Sequence, residues 1–339
     1  GLFATHPPLP IRIRRIDPSW DGKVQPIRRT EAAGSVVGLD SAAAFAPAAV
    51  PTSPTAMHRL STRTTNASAV EWIGRLGPGH VTRAREIIHS APPPLVEAAR
   101  SAYSARAVIF ALLLDRAPEV RERQMDRIGE AGEPGLVAET VRLEPLARHL
   151  PPEARAPVAE IALGALSSIT YPQYQTFRTT LRGLVEADAK RNVFEWMLER
   201  LAETSLGARF DGAATGIPEY YALSRLGSEC SMVLSMLAHA SGADFEEARR
   251  AFHAGVSALP EVAVAFIPAE ACSLSGLSRA LDRLATVTPT LKRTIVTACA
   301  RVVAADSRAT TQEIELLRGV SASLGAPMPP VLPGQRLVN

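Results

Sequence analysis

Two pairs of carboxylates carry the residue types most able to do chemistry in this chain. Asp188 stands seven residues before Glu195, and Asp306 stands seven residues before Glu313. Each Asp closes an apolar run in Ala-Asp, and a basic residue follows two places on, Lys190 in one copy and Arg308 in the other. Such an echo reads as one supersecondary unit used twice. An Asp and a Glu at a turn are oxygen ligands of the kind that hold a hard cation, although one of each is too few for tight calcium binding. A second role competes for the same residues. Thr310 and Glu313 stand as Thr-x-x-Glu, the capping-box pattern, and Asn192 stands three residues before Glu195 in the same register. Each Asp then serves as an acceptor for turn amides. No metal ligand is assigned on this reading.

The elements that must position these residues are helices. Leu291, Ile295, Cys299 and Val302 mark one face at helical spacing, and Ile314, Leu317, Val320 and Leu324 mark the next. Gly325 suits a helix stop. In the earlier copy Phe177, Leu181 and Leu184 precede the turn, and Val193, Met197 and Leu201 follow it. The repeat is therefore helix, acidic turn, capped helix. Asp115 and Glu122 show the same spacing without a capping residue, a weak third copy.

The rest of the chain supports an all-α fold, a multi-helix array. It has 339 residues, 46% hydrophobic but only 5% aromatic, so its core is aliphatic. A net charge of +3 gives no argument for nucleic acid. Cys230, Cys272 and Cys299 are widely spaced and read as buried thiols. The longest apolar run, Ala107 to Leu114, is far short of the roughly 20 residues of a membrane span. Residues 32–68 are rich in Ala, Pro, Ser and Thr and read as a mobile linker. Beyond Ala69, Pro94 to Leu114 is expected as one long helix. Val262 to Phe266 alternates loosely like a strand but has no partner run, and reads as buried loop or helix. Pro327 to Pro333 is polyproline-like. The expected divisions are 1–31, the linker 32–68, a helical domain 69–205 with the first acidic turn, and a second, 206–339, with the other.

Residues 1–31 carry a resemblance. Phe3-Ala4-Thr5-His6-Pro7-Pro8-Leu9 followed by Arg12-Ile13 resembles the closing segment of the HtpX-like membrane zinc metallopeptidases. Asp17-Pro18-x-Trp20-Asp21-Gly22 is similar to a bacterial subset with a long helical extension. Ala107 to Leu114, Gln124, Tyr174-x-x-Phe177 and Glu313-x-Glu315-Leu316-Leu317-Arg318 resemble that extension. The two Ala-Asp…Glu units resemble the TerB-like helical fold, with Ala189 and Ser307 where that fold usually has Gly.

The resemblance implies a membrane-anchored hydrolase at the inner membrane. Its zinc would be held by His-Glu-x-x-His and a later Glu, and it would act on membrane proteins. Thr5, His6, Pro7 and Arg12 match the family segment but are not ligands. None of the seven His of this chain has another four places away, so the catalytic motif is absent from it. The chain is accordingly expected to have no catalytic residue and no cofactor of its own. It would be a regulatory or partner-binding C-terminal region facing the cytoplasm. The alternative is a free-standing TerB-like adaptor or scaffold.

Overall fold

A computed structural model describes residues 78–188, 191–212, 218–242, 244–306, 309–326 and 328. The segments 1–31 and 32–68, with Thr5, His6, Pro7 and Arg12, lie outside the described residues, as does the Pro-rich tail apart from Met328. Thirteen α-helices follow one another in the described part. They are α1 (Pro78–Ser90), α2 (Pro93–Arg100), α3 (Ser104–Leu113), α4 (Pro118–Glu130), α5 (Leu136–Arg148), α6 (Pro152–Leu166) and α7 (Tyr171–Glu186). Then come α8 (Val193–Phe210), α9 (Gly227–Ala240), α10 (Phe245–Val256), α11 (Leu274–Leu284), α12 (Pro289–Val303) and α13 (Thr311–Ser323). The only paired extended chain among the described residues is an isolated bridge between Tyr220 and Val287.

The most apolar stretch lies at the centre of the first half. Every residue of α3 from Ala105 to Leu113 is buried, as befits a helix apolar on all sides. Arg106 is the exception in chemistry; it is buried and ion-paired with Glu133. The long helix expected over Pro94 to Leu114 is broken. Ser101 adopts extended backbone and ends α2, and α3 begins at Ser104. The break lets α2 and α3 each pack on α6 and on one another, which a straight rod could not do.

The boundary expected at 205/206 falls inside α8, which runs unbroken from Val193 to Phe210. That helix packs along α13 from the far end of the sequence. The described residues therefore belong to one compact unit rather than two helical domains.

Residues 262–267 are loop and not helix, and they are half-buried or exposed rather than buried. They run extended along α9, whose Gly227, Ser231, Ser235 and His239 recur every four residues on one face. The Ser231 and Ser235 hydroxyls accept from the amides of Ala265 and Ile267, each at 2.9 Å. His239 Nε2 lies 2.9 Å from the Ile267 carbonyl oxygen. Four residues of helix rise about 6 Å, and two of extended chain about 6.6 Å, so the two periods stay nearly in step. At Gly227 any Cβ would lie 2.1 Å from the Ala263 carbonyl oxygen. Glycine is what admits the extended chain.

Candidate functional site

Both acidic turns are built as helix, turn and capped helix. In the first, α7 ends at Glu186 and Asn192 caps α8. The Asn192 side chain accepts from the Glu195 amide at 2.9 Å, and the Asn192 amide donates to Glu195 Oε2 at 3.0 Å. Asn192 Nδ2 donates to the other oxygen, Oε1, at 2.5 Å. In the second, the Glu313 amide donates to Thr310 Oγ1 at 3.2 Å, and the Thr310 amide and hydroxyl donate to Glu313 Oε2 at 2.7 and 2.8 Å. The reciprocal bonds satisfy amides that the first turn of a helix leaves orphaned.

The structure also brings each Asp near its Glu. Burial is the main cause that pushes the Glu195 and Glu313 carboxyls above the ordinary glutamate range. The negative charges of Asp115 and Asp188 push Glu195 in the same direction, and Asp306 does so for Glu313. The charge is thus crowded and the glutamate oxygens are already bonded to cap donors. Among the described residues no three His, Cys, Asp or Glu side chains converge in a group able to hold a metal ion. The third copy does not form. Asp115 Oδ1 accepts from the Ala117 amide at 2.7 Å, and α4 begins without a side-chain cap.

Raised carboxyls have a definite linkage sign. A folded state that binds protons more tightly than the unfolded one gains stability at low pH and loses it as pH rises through the raised values. Glu195→Gln and Glu313→Gln keep an acceptor for the capping box but remove the buried charge. Thermal melts across pH should show wild type losing stability relative to the Gln pair as pH rises from 4.5, the unperturbed glutamate value, towards neutrality. A difference constant across that window would refute the burial argument.

The caps themselves give a second expectation. Asn192→Ala and Thr310→Ala should each cost about 0.5–2 kcal/mol, equally in calcium, magnesium or chelator. If the turns bound a cation instead, wild type would melt several degrees higher with metal through mass action, and Asp306→Asn would abolish that shift.

What the sequence did not reveal is how the two turns are joined. The second helices of the two copies, α8 and α13, lie against one another, with Trp196 fully buried between them. A Cβ on Gly319 of α13 would stand 2.5 Å from Trp196 Cζ3. Trp196 Nε1 donates to Ser278 Oγ on α11 at 2.9 Å. Arg200, one turn on, reaches Ser323 Oγ at 3.0 Å and Asp282 at 2.8 Å. A glycine inside an otherwise well-formed helix was the one legible hint of this close approach.

Comparison with protein-family models, curated proteins and solved structures finds no match to the chain.

Gln124, noticed in the sequence only as part of a resemblance, holds the start of the first copy. Its buried amide donates to the carbonyl oxygens of Leu113 at 3.0 Å and Leu184 at 3.1 Å, and accepts from the Asp115 amide at 2.8 Å. One side chain thereby ties the ends of α3 and α7 together just before the acidic turn. The thiols carry no visible chemistry. Cys230 and Cys299 are buried and unbridged, and burial pushes the Cys230 thiol up to about 12, far from the thiolate that reactivity requires. No helix among the described residues is long and apolar enough to cross a membrane.

Proposed function

We propose that this chain is the C-terminal part of an HtpX-like membrane zinc metallopeptidase, and that its helical array is a non-catalytic region that binds protein substrates or a protein partner of that enzyme. The observation that carries the reading is the string Phe3-Ala4-Thr5-His6-Pro7-Pro8-Leu9 with Arg12-Ile13. The residues of this chain do not fit a catalytic zinc site. Such sites take three protein ligands, and no two of its His are four residues apart. The zinc would be held ahead of Gly1, in a membrane-anchored part, with the helical array on the cytoplasmic side. The polar groups at the acidic turns are spent on capping and joining helices, which suits a scaffold better than an acid–base centre.

The second reading, a free-standing TerB-like adaptor, is favoured by the two capped turns joined through α8 and α13. The two differ in what precedes Gly1 in the coding sequence. The first requires an in-frame His-Glu-x-x-His, and its absence would leave the adaptor. Purified as residues 1–339, the chain should hold no stoichiometric zinc after dialysis and cleave no casein. Chelator-sensitive cleavage by this chain alone would overturn the proposal. In the full-length enzyme, deleting 69–339 should spare zinc and cleavage of a short unstructured peptide, while slowing cleavage of a membrane protein.

A further inference from the structure

Where α3 and α5 end and α6 begins, three arginines line one cavity of about 190 Å³: Arg116, Arg148 and Arg155. Their carboxylate partners are too few. Glu144 also lines the cavity, but it is taken up by a two-point pair with Arg121 and a second pair with Arg148. Arg121 and Arg148 hold its carboxyl below the ordinary range, so its single negative charge is shared between two guanidiniums. Arg155 has no carboxylate in contact among the described residues. Its Nη2 donates to the Leu112 carbonyl oxygen at 3.1 Å, and its guanidinium lies over the Phe194 ring at 3.7 Å. Burial pulls the Arg155 guanidinium down from its ordinary range; the charges of Glu315 and Glu195, which do not line this cavity, oppose that shift, and the positive charge of Arg116 adds to it. Arg116 makes no hydrogen bond or ion pair among the described residues and is exposed.

Stacking on Phe194 and one bond to a carbonyl occupy few of the five Arg155 donors, and Glu195 and Glu315 act on it only from beyond ion-pair distance. The cavity wall itself carries three arginines and one carboxylate. Its wall is not polar throughout, because Leu112, Leu114 and Leu150 face the same space. The space is smaller than the roughly 300–1,000 Å³ of pockets for drug-sized ligands, so it suits a group the size of one side chain. A guanidinium fork matches a carboxylate or phosphate edge. A bare, hydrated phosphate would have no use for the leucines.

We propose that this cavity binds a carboxylate bearing a short apolar group, supplied either as a free small acid or as the last residue of a polypeptide. Arg116 and Arg155 would hold the carboxylate, and the leucines would cover its apolar group. The inference stands on the helical array and not on the peptidase reading, so either can fail without the other.

The test is calorimetric titration of the 339-residue chain with N-acetyl-leucine, N-acetyl-leucinamide, 3-methylbutanoate and inorganic phosphate. N-acetyl-leucine should bind and its amide should not, since the amide lacks the charge. Arg155→Gln and Arg116→Gln should each weaken binding roughly ten- to a hundredfold, the range for a charged hydrogen bond. Arg116→Gln guards against misfolding, because that side chain holds nothing else among the described residues; its melting temperature should match wild type. Tighter binding of N-acetyl-leucine than of 3-methylbutanoate assigns the site to polypeptide ends, and the reverse assigns it to free acids. Equal binding of acid and amide would overturn the proposal. So would binding unchanged in both variants, binding of phosphate alone, or binding of no probe.

Discussion

Trp196→Ala is expected to lower stability by about 3–5 kcal/mol, the range for removing a large buried aromatic. The indole is fully buried where α8 meets α13, and its Nε1 is bonded to Ser278. Truncation therefore opens a cavity between the two acidic-turn units and leaves Ser278 without its donor. The partner across the joint should behave against ordinary helix propensity. Gly→Ala inside a helix normally gains roughly 0.5–1 kcal/mol. At Gly319 the added methyl meets the Trp196 ring at 2.5 Å, so Gly319→Ala should instead cost about 1–3 kcal/mol through overpacking. The two changes share one space. In the double variant Trp196→Ala/Gly319→Ala the clash is gone, and denaturant melts should give a combined loss smaller than the sum. Strict additivity would mean that the two residues do not touch in solution.

Replacing Ser231 and Ser235 together with alanine should cost about 0.5–1.5 kcal/mol at each position, the net worth of an ordinary hydrogen bond, because each change removes the acceptor of one amide in a segment that is half-buried or exposed. The hydroxyls accept from the Ala265 and Ile267 amides, and Ser235 is fully buried. The loss should be local in its signature. Hydrogen exchange should quicken first at Ala265 and Ile267, while amides in α3 keep their protection. If those two amides exchange as slowly in the double variant as in wild type, the helix face does not hold the extended segment. Gly227→Ala should release the same segment by a different cause, because its methyl would run into the Ala263 carbonyl oxygen rather than remove an acceptor.

Much of the fold was legible because its causes are local. Helical periods in the apolar residues specify the all-α class. The Asn192–Glu195 and Thr310–Glu313 registers specify the helix starts, since a capping box is closed within four residues of chain. The run from Ala107 to Leu114 could be read as an interior helix rather than a membrane span from its length alone.

Other features depend on residues far apart in sequence, and there local reading failed. The break at Ser101 follows from α2 and α3 both needing α6. The path of α8 across residue 205 follows from the length of α13 that it covers. Residues 262–267 have no strand to pair with, and only the fold supplies the helix face whose serines replace one. The arginines at 116, 148 and 155 lie on three separate segments with unremarkable neighbours. Their shared cavity exists because two helix ends and one helix start meet there, and a grouping made by packing leaves no mark on any single stretch of chain.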